Sequence, residues 1–176
     1  MARKNTGVDH NGLPATDGKS HDQDRHLDIL KKLRVVIRAA QRHSQWIEKQ
    51  CGITGAQLWV MQELHETPGM RVGEIALRMA IHQTTASNLL DALEKRGYIN
   101  KTRDHTDQRA VKLALSEAGG AILLTAPKPA RGLLTTALSQ LDNAALAQLD
   151  GGLNALLGSI GDLDEGFGLQ PMPFMM

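Results

Sequence analysis

Between residues 83 and 112 the chain gathers side chains suited to one kind of chemistry. Thr84, Ser87, Asn88 and Lys95 lie in a segment whose apolar residues Ala86, Leu89, Leu90 and Leu93 fall at i, i+3, i+4 and i+7. That spacing is one face of a helix. With the leucines inward, a turn of about 100° per residue sets Thr84, Asn88, Asp91 and Lys95 opposite the core, with Ser87 at the edge. Four of these five can donate hydrogen bonds and none is large and apolar, which suits base edges and phosphates. Asn88 can pair bidentately with adenine, and Thr84 and Ser87 can take base or phosphate contacts. Asp91 has two readings: it accepts from a cytosine amino group, or it holds Lys95 at i+4. An ordinary surface helix with a polar outer face has the same composition.

Just beyond, Arg103 and Arg109 flank a turn with Asp104 and Asp107 interleaved. Arginine suits a narrow, negative minor groove because its planar guanidinium is weakly hydrated. Asp107, two residues from Arg109, is expected to orient that arginine and not to touch DNA itself. Lys101 and Lys112 read either as phosphate contacts or as solvated strand charges.

The charge distribution points the same way only when it is divided. The 176 residues carry 20 Lys and Arg against 19 Asp and Glu, a net charge of +1. Residues 95–112 alone hold six basic and two acidic side chains, while residues 113–176 hold two basic and six acidic. A local excess of that kind is a candidate phosphate-binding footprint, and its acidic flanks oppose indiscriminate coating of nucleic acid. A solvated charged hairpin is the plainer alternative. At 3% aromatic residues, a stacking platform for single strands is disfavoured. One cysteine, Cys51, excludes an intrachain disulfide and fits a reducing compartment. With neither a membrane-length apolar run nor a secretory leader pattern, a cytoplasmic location off the membrane is expected.

The elements that must position these side chains can be read from periodicity. Residues 1–22 read as a disordered arm. From Asp24 to Lys49, Leu27, Leu30, Leu33, Ile37, Ala40 and Ile47 mark one face of a long amphipathic helix ended by Gly52. Thr54 is placed to cap a second helix, which Pro68 and Gly69 stop. A short third helix turns Ile75, Ala76 and Met79 inward and leads into the helix described above, which ends at Gly97. Tyr98–Asp104 then reads as extended, and Val111, Leu113 and Leu115 alternate, so a β-hairpin carries the basic cluster. A helical region from Ser116 to Leu141 is expected to break at Pro127 and Pro129. Asp142 caps a last helix with a leucine seam, and residues 163–176 read as a flexible tail.

The fold class is therefore mainly α with a small β-wing, a winged helix-turn-helix over 53–115. Helices in 23–50 and 116–162 form a dimerisation region, because each exposes an apolar seam that a small domain cannot fully bury. Pairing across a two-fold would place two recognition helices one DNA turn apart, roughly 34 Å. The alternative is a monomer whose two helices pack on each other.

The stretch RVGEIALRMAIHQTTASNLLDALEKRGYINKTRDHTDQRAVKLALSEAG resembles the MarR family of bacterial transcriptional regulators. The features that match are the T-x-S-N-L-x-x-x-L-E-x-x-G-Y-I segment and the D-x-R wing followed by L-x-L-S-E-A-G. The resemblance implies a homodimer that binds a pseudo-palindromic double-stranded operator. It places Thr84, Thr85, Ser87 and Asn88 on the contacting face, Arg109 at the wing tip and Asp107 as its bracing acid. Gly73 and His82 depart from it, standing where better helix caps are usual. The resemblance further implies a repressor released by a small aromatic acid or phenol, and makes Arg38, His43, Trp46, Ile47, Cys51 and Trp59 the effector-pocket candidates. Core packing is the simpler role for each of these taken singly.

Two other readings stay open: a winged-helix protein-interaction module without DNA binding, and a redox-responsive regulator using Cys51. No nucleophile elbow, phosphate loop, metal-ligand spacing or acid/base pair appears, so no enzyme, metal or cofactor is expected.

Overall fold

The computed structural model describes residues 17–103 and 111–176. The chain divides into two compact units, residues 1–36 and 37–176, and the first helix, α1 (Asp17–Cys51), runs through the division. It begins inside the stretch expected as a disordered arm, since residues 17–22 are already helical. Those residues lack apolar spacing but contain no proline, so the helix can propagate through them at one hydrogen bond per residue fixed. Within this first unit Asp28 and Lys32 form an i,i+4 ion pair at 2.6 Å, and Leu27, Leu30 and Val35 are exposed.

The second unit holds the core. Helix α2 (Gly55–Glu66) opens on a capping box: Thr54 Oγ1 accepts from the Gln57 N–H at 3.3 Å, and Gln57 Oε1 from the Thr54 N–H at 3.1 Å. Helix α3 (Val72–Met79) starts from Arg71, whose N–H donates to Glu74 Oε2 at 2.7 Å. Gly73 therefore lies inside the first turn and is not the cap. Ala80, left-handed at φ 51°, turns the chain toward His82, which opens α4 (Gln83–Lys95). Ala86, Leu89, Leu90 and Leu93 of α4 are buried against α2 and α3. Each leucine so placed contributes about 1.5–3 kcal/mol from removing its surface from water.

Gly97, at φ 72°, ends α4 and releases the chain into the wing. Strands β1 (Ile99–Arg103) and β2 (Val111–Leu115) pair antiparallel, with Ile99 opposite Leu115, Lys101 opposite Leu113 and Arg103 opposite Val111. Met70 bridges to Leu113, so the segment before α3 lies along the free side of β2. Helix α5 (Glu117–Thr125) is capped by Ser116, whose Oγ accepts from the Gly119 N–H at 3.0 Å. Gly119 passes so close to the wing that a Cβ there would stand 2.1 Å from the Tyr98 carbonyl oxygen.

The prolines act as expected. Helix α5 ends before Pro127, and the next helix, α6 (Leu133–Ser139), begins only after Gly132. Helix α7 (Asn143–Ile160) is capped by Asp142, whose Oδ1 accepts from the Ala145 N–H at 2.8 Å. The segment expected as a flexible tail has more structure than its pattern shows. It forms 3₁₀ turns at Glu165–Leu169 and Pro173–Met175, and Met175 packs against the core. Its apolar residues follow no helical or strand period, yet they still gain by leaving water, and Pro171 and Pro173 restrict the backbone between them. No described helix is long and apolar enough to cross a membrane.

Candidate nucleic-acid interface

Helix α4 is amphipathic in the sense the sequence requires. Thr84, Asn88, Asp91 and Lys95 are exposed, Thr85 and Ser87 are half-buried, and the leucines lie behind them. Arg103 is exposed at the end of β1. Among the described residues, Lys95 and Arg103 make no ion pair or side-chain hydrogen bond, so both keep their donors for a partner. Asp107 and Arg109 lie outside the described residues.

Lys101 behaves differently from the other wing cations. Its side chain is only 23% exposed, and its ammonium is held by Asp91 and, at 2.9 Å, by Glu94. Burial alone would lower its pKa; the two carboxylates outweigh that and push it up. Lys101 is thus neither a free phosphate contact nor a solvated charge. Asp91 pairs with this strand lysine across to β1, not with Lys95 along its own helix. The result is a clamp that joins the wing to the outer edge of α4. Lys112 is exposed on β2.

Two further contacts fix the platform beneath α4. At its C-terminal end, Arg96 donates to the Gly52 carbonyl at 2.6 Å and lies over the Tyr98 ring, 5.1 Å from its centre. On the other side, the carboxylate of Glu63, 3% exposed, collects three donors: Trp59 Nε1 at 2.9 Å, Arg131 Nε at 2.6 Å and Arg78 Nη1 at 3.1 Å. Burial acts to raise the Glu63 pKa, but hydrogen bonds from Arg131, Arg78 and Trp59 prevail and hold it below the usual glutamate value. Arg131 also donates to Glu66 at 2.5 Å. Glu63 thereby ties α2 to α3 through Arg78, and to the segment before α6 through Arg131.

Sequence reading missed this hub and the Lys101 clamp. A signal for the first was present: a lone glutamate on the apolar side of α2, and in Arg131 one of only two cations after residue 112. Their separation of 68 residues left nothing to connect them.

A cavity of about 170 Å³ opens beside this hub, with Ala40, His43, Trp59, Met79 and Ile81 among its walls. Of the effector candidates, His43 and Trp59 line it. The imidazole of His43 is buried and donates from Nε2 to the Pro129 carbonyl at 3.0 Å. Trp46 stands edge-on to His43 at 6.0 Å but is half exposed, and it is not in the cavity wall. Ile47 is a core residue at 1% exposure. Arg38 lies with Gln41, Arg42 and Gln45 around a separate surface depression. Cys51 packs at the edge of the core, where burial pushes its thiol pKa up and disfavours the reactive thiolate.

The model of the MarR family matches residues 53–111, the span from α2 through the wing. The HTH-type transcriptional repressor MdtR of Bacillus subtilis (strain 168) is 33% identical over 102 residues, covering 57% of this chain and 64% of that protein. The transcriptional repressor MprA of Escherichia coli (strain K12) is 26% identical over 103 residues, 58% of each chain. The chain thus spans less than two thirds of the length of these curated relatives. Among solved structures, a MepR-like protein complexed with pseudoligands superposes with a TM-score of 0.53 at 20% identity, covering 77% of this chain and 96% of that one. The transcriptional regulator BldR from Sulfolobus solfataricus gives 0.51 at 23% identity, with the same coverage. The fold is a winged helix-turn-helix, and the stretch from 53 to 111 is similar to the MarR family.

Proposed function

We propose that this protein is a dimeric, sequence-specific regulator of transcription that binds a pseudo-palindromic double-stranded operator in the cytoplasm, and a repressor released by a small aromatic or phenolic ligand. The observation that carries the reading is the exposed polar face of α4 beside strand β1, which ends in the exposed Arg103. Asn88 and Thr84 are the base-reading residues of that face, Thr85 and Ser87 stand at its edge, and Lys95 meets phosphate. Arg103 and Arg109 enter the minor groove from the wing, with Asp107 bracing Arg109. The seams of the first and last helices supply the dimer contact.

The cavity beside Glu63 favours a neutral phenol over a carboxylate. Its guanidinium, Arg131, is already engaged by Glu63 and Glu66, and His43 Nε2 is engaged by Pro129. An anion entering there would find no unpaired cation among the described residues of the wall.

Duplex binding at several salt concentrations tests the proposal. Arg109→Ala should weaken binding to every sequence and lower the salt slope by about 1. Asn88→Ala should relax preference at particular base pairs, with a loss of about 1–3 kcal/mol of discrimination. Parent-like behaviour of both variants would leave the protein-interaction module as the better account.

A further inference from the structure

The cavity is closed on one side by the chain's own C-terminal segment. Met172, Phe174 and Met175 form part of its wall. The Met175 methyl lies against the start of α2 and the turn before α6, where a Cβ added to Gly55 or Gly132 would meet it at 3.8 or 3.7 Å. One backbone hydrogen bond ties the segment to the helix-turn-helix: the His82 N–H donates to the Leu169 carbonyl at 3.0 Å. His82 is the N-cap of α4 and makes no side-chain capping bond. The turn that aims Thr84 and Thr85 therefore has its cap amide satisfied by the tail.

We propose that residues 169–176 are a built-in occupant of this cavity, which an apolar ligand larger than one ring must displace, and that the displacement frees the first turn of α4. The size of the remaining space is the first argument. About 170 Å³ is close to the volume of a dry cavity that takes up benzene, and well below the roughly 300 Å³ at which pockets for larger ligands begin. A bicyclic ligand fits only if Phe174 and Met175 leave.

Attachment is the second argument. The tail is held by apolar contact and a backbone hydrogen bond, with no ion pair among the described residues, so its removal needs no buried charge to be uncovered. The third is connectivity. A tail that leaves takes the Leu169 carbonyl from the His82 amide, and the start of the groove-facing helix then loses a fixed partner. Tail seating and ligand binding compete for one volume, and only the tail-seated state holds the turn before α4. A ligand that prefers the tail-free state shifts the population toward it by its differential affinity, and DNA bound to the tail-seated state opposes the shift equally. Only this last step rests on the DNA-binding reading.

The probes are 2-naphthol, a neutral bicyclic phenol, and phenol as its single-ring control. In the unmodified chain, saturating 2-naphthol should speed hydrogen exchange at the His82 amide and move the Met172 and Met175 methyl resonances toward solvent-exposed positions. Phenol should do neither. The Phe174→Ala/Met175→Ala variant, and separately a chain ending at Gln170, should bind 2-naphthol about tenfold more tightly than the parent, since a competing occupant scales apparent affinity by the fraction of open state. Phenol affinity should change little.

Equal or weaker 2-naphthol binding by both variants would overturn the proposal. So would an unchanged His82 exchange rate in the parent at saturation, a readout that needs no variant to fold. Duplex binding is scored separately. If 2-naphthol unseats the tail and DNA affinity does not fall, the competition stands and its link to α4 is wrong. If no variant of the chain binds duplex DNA at all, the operator reading fails while the probe results still decide the tail.

Discussion

Helices α4 and α7 carry nearly the same apolar pattern and meet different fates. In α4, Leu89, Leu90 and Leu93 are 5% exposed or less. In α7, Leu149, Leu153, Leu156, Leu157 and Ile160 are between 40% and 59% exposed. The α4 seam is covered by α2 and α3 of its own chain, so its opposite face is left polar and outward. The α7 seam has no cover of that quality among the described residues. A run of this length and regularity, left in water, forfeits burial that a second copy can supply. Periodicity thus reports that a face is built for contact, and only the surroundings say with what.

Charging the α7 seam should have the largest effect. Leu153→Glu with Leu157→Glu should weaken self-association roughly a thousandfold or more, because each buried, unpaired carboxylate costs several kcal/mol. Sedimentation velocity reads the loss, and a helical monomer should remain. If the variant stays dimeric, the seam is not the interface. Truncation to alanine sharpens the contrast at constant chemistry. Leu90→Ala should cost about 2–5 kcal/mol in urea unfolding, since it leaves a cavity behind α4. At concentrations where the chain is monomeric, Leu157→Ala should cost about 0.5 kcal/mol or less.

A smaller effect concerns the platform that lets α4 turn its polar face outward. Glu63→Gln removes a buried carboxylate hydrogen-bonded by two guanidiniums, and should lower stability by about 1–3 kcal/mol at neutral pH. The sign with pH follows from the depressed native pKa. The contribution is complete above the ordinary glutamate value of 4.5 and is lost as pH falls through the lower native value. Thermal unfolding of the parent should therefore drop more steeply below about pH 4.5 than that of the variant. Parallel curves would mean that Glu63 has the same pKa in the folded and unfolded chain.

Local features were the legible ones. Thr54, Ser116 and Asp142 cap where their side-chain chemistry and position indicate, and Pro127 and Pro129 break the helix where proline must. The outward polar set on α4 follows from the i, i+3, i+4 rule alone, because the helix has one apolar stripe. Long-range pairings were not legible. Lys101 looked like its neighbours until β1 was laid beside α4, and Asp91 had a plausible partner along its own helix. Glu63, Arg78 and Arg131 meet through the packing of three separate segments. Trp46, Ile47 and Cys51 are near His43 in sequence, yet helical rotation sends them to solvent, core and core edge. The tail escaped because 3₁₀ turns between prolines leave no period to detect.

The Lys101 clamp also lowers the number of ions that the wing could displace. Of the six cations between residues 95 and 112, Lys101 offsets one of the two negative charges of Asp91 and Glu94, and Arg96 donates to the Gly52 carbonyl and lies over the Tyr98 ring. On the proposed operator Lys101 would bring no unpaired charge, while Arg96 would keep its charge with one donor already engaged. The counterions that this stretch would displace from such a duplex are accordingly fewer than its lysines and arginines, and the two acids that would repel a phosphate would reach it partly screened.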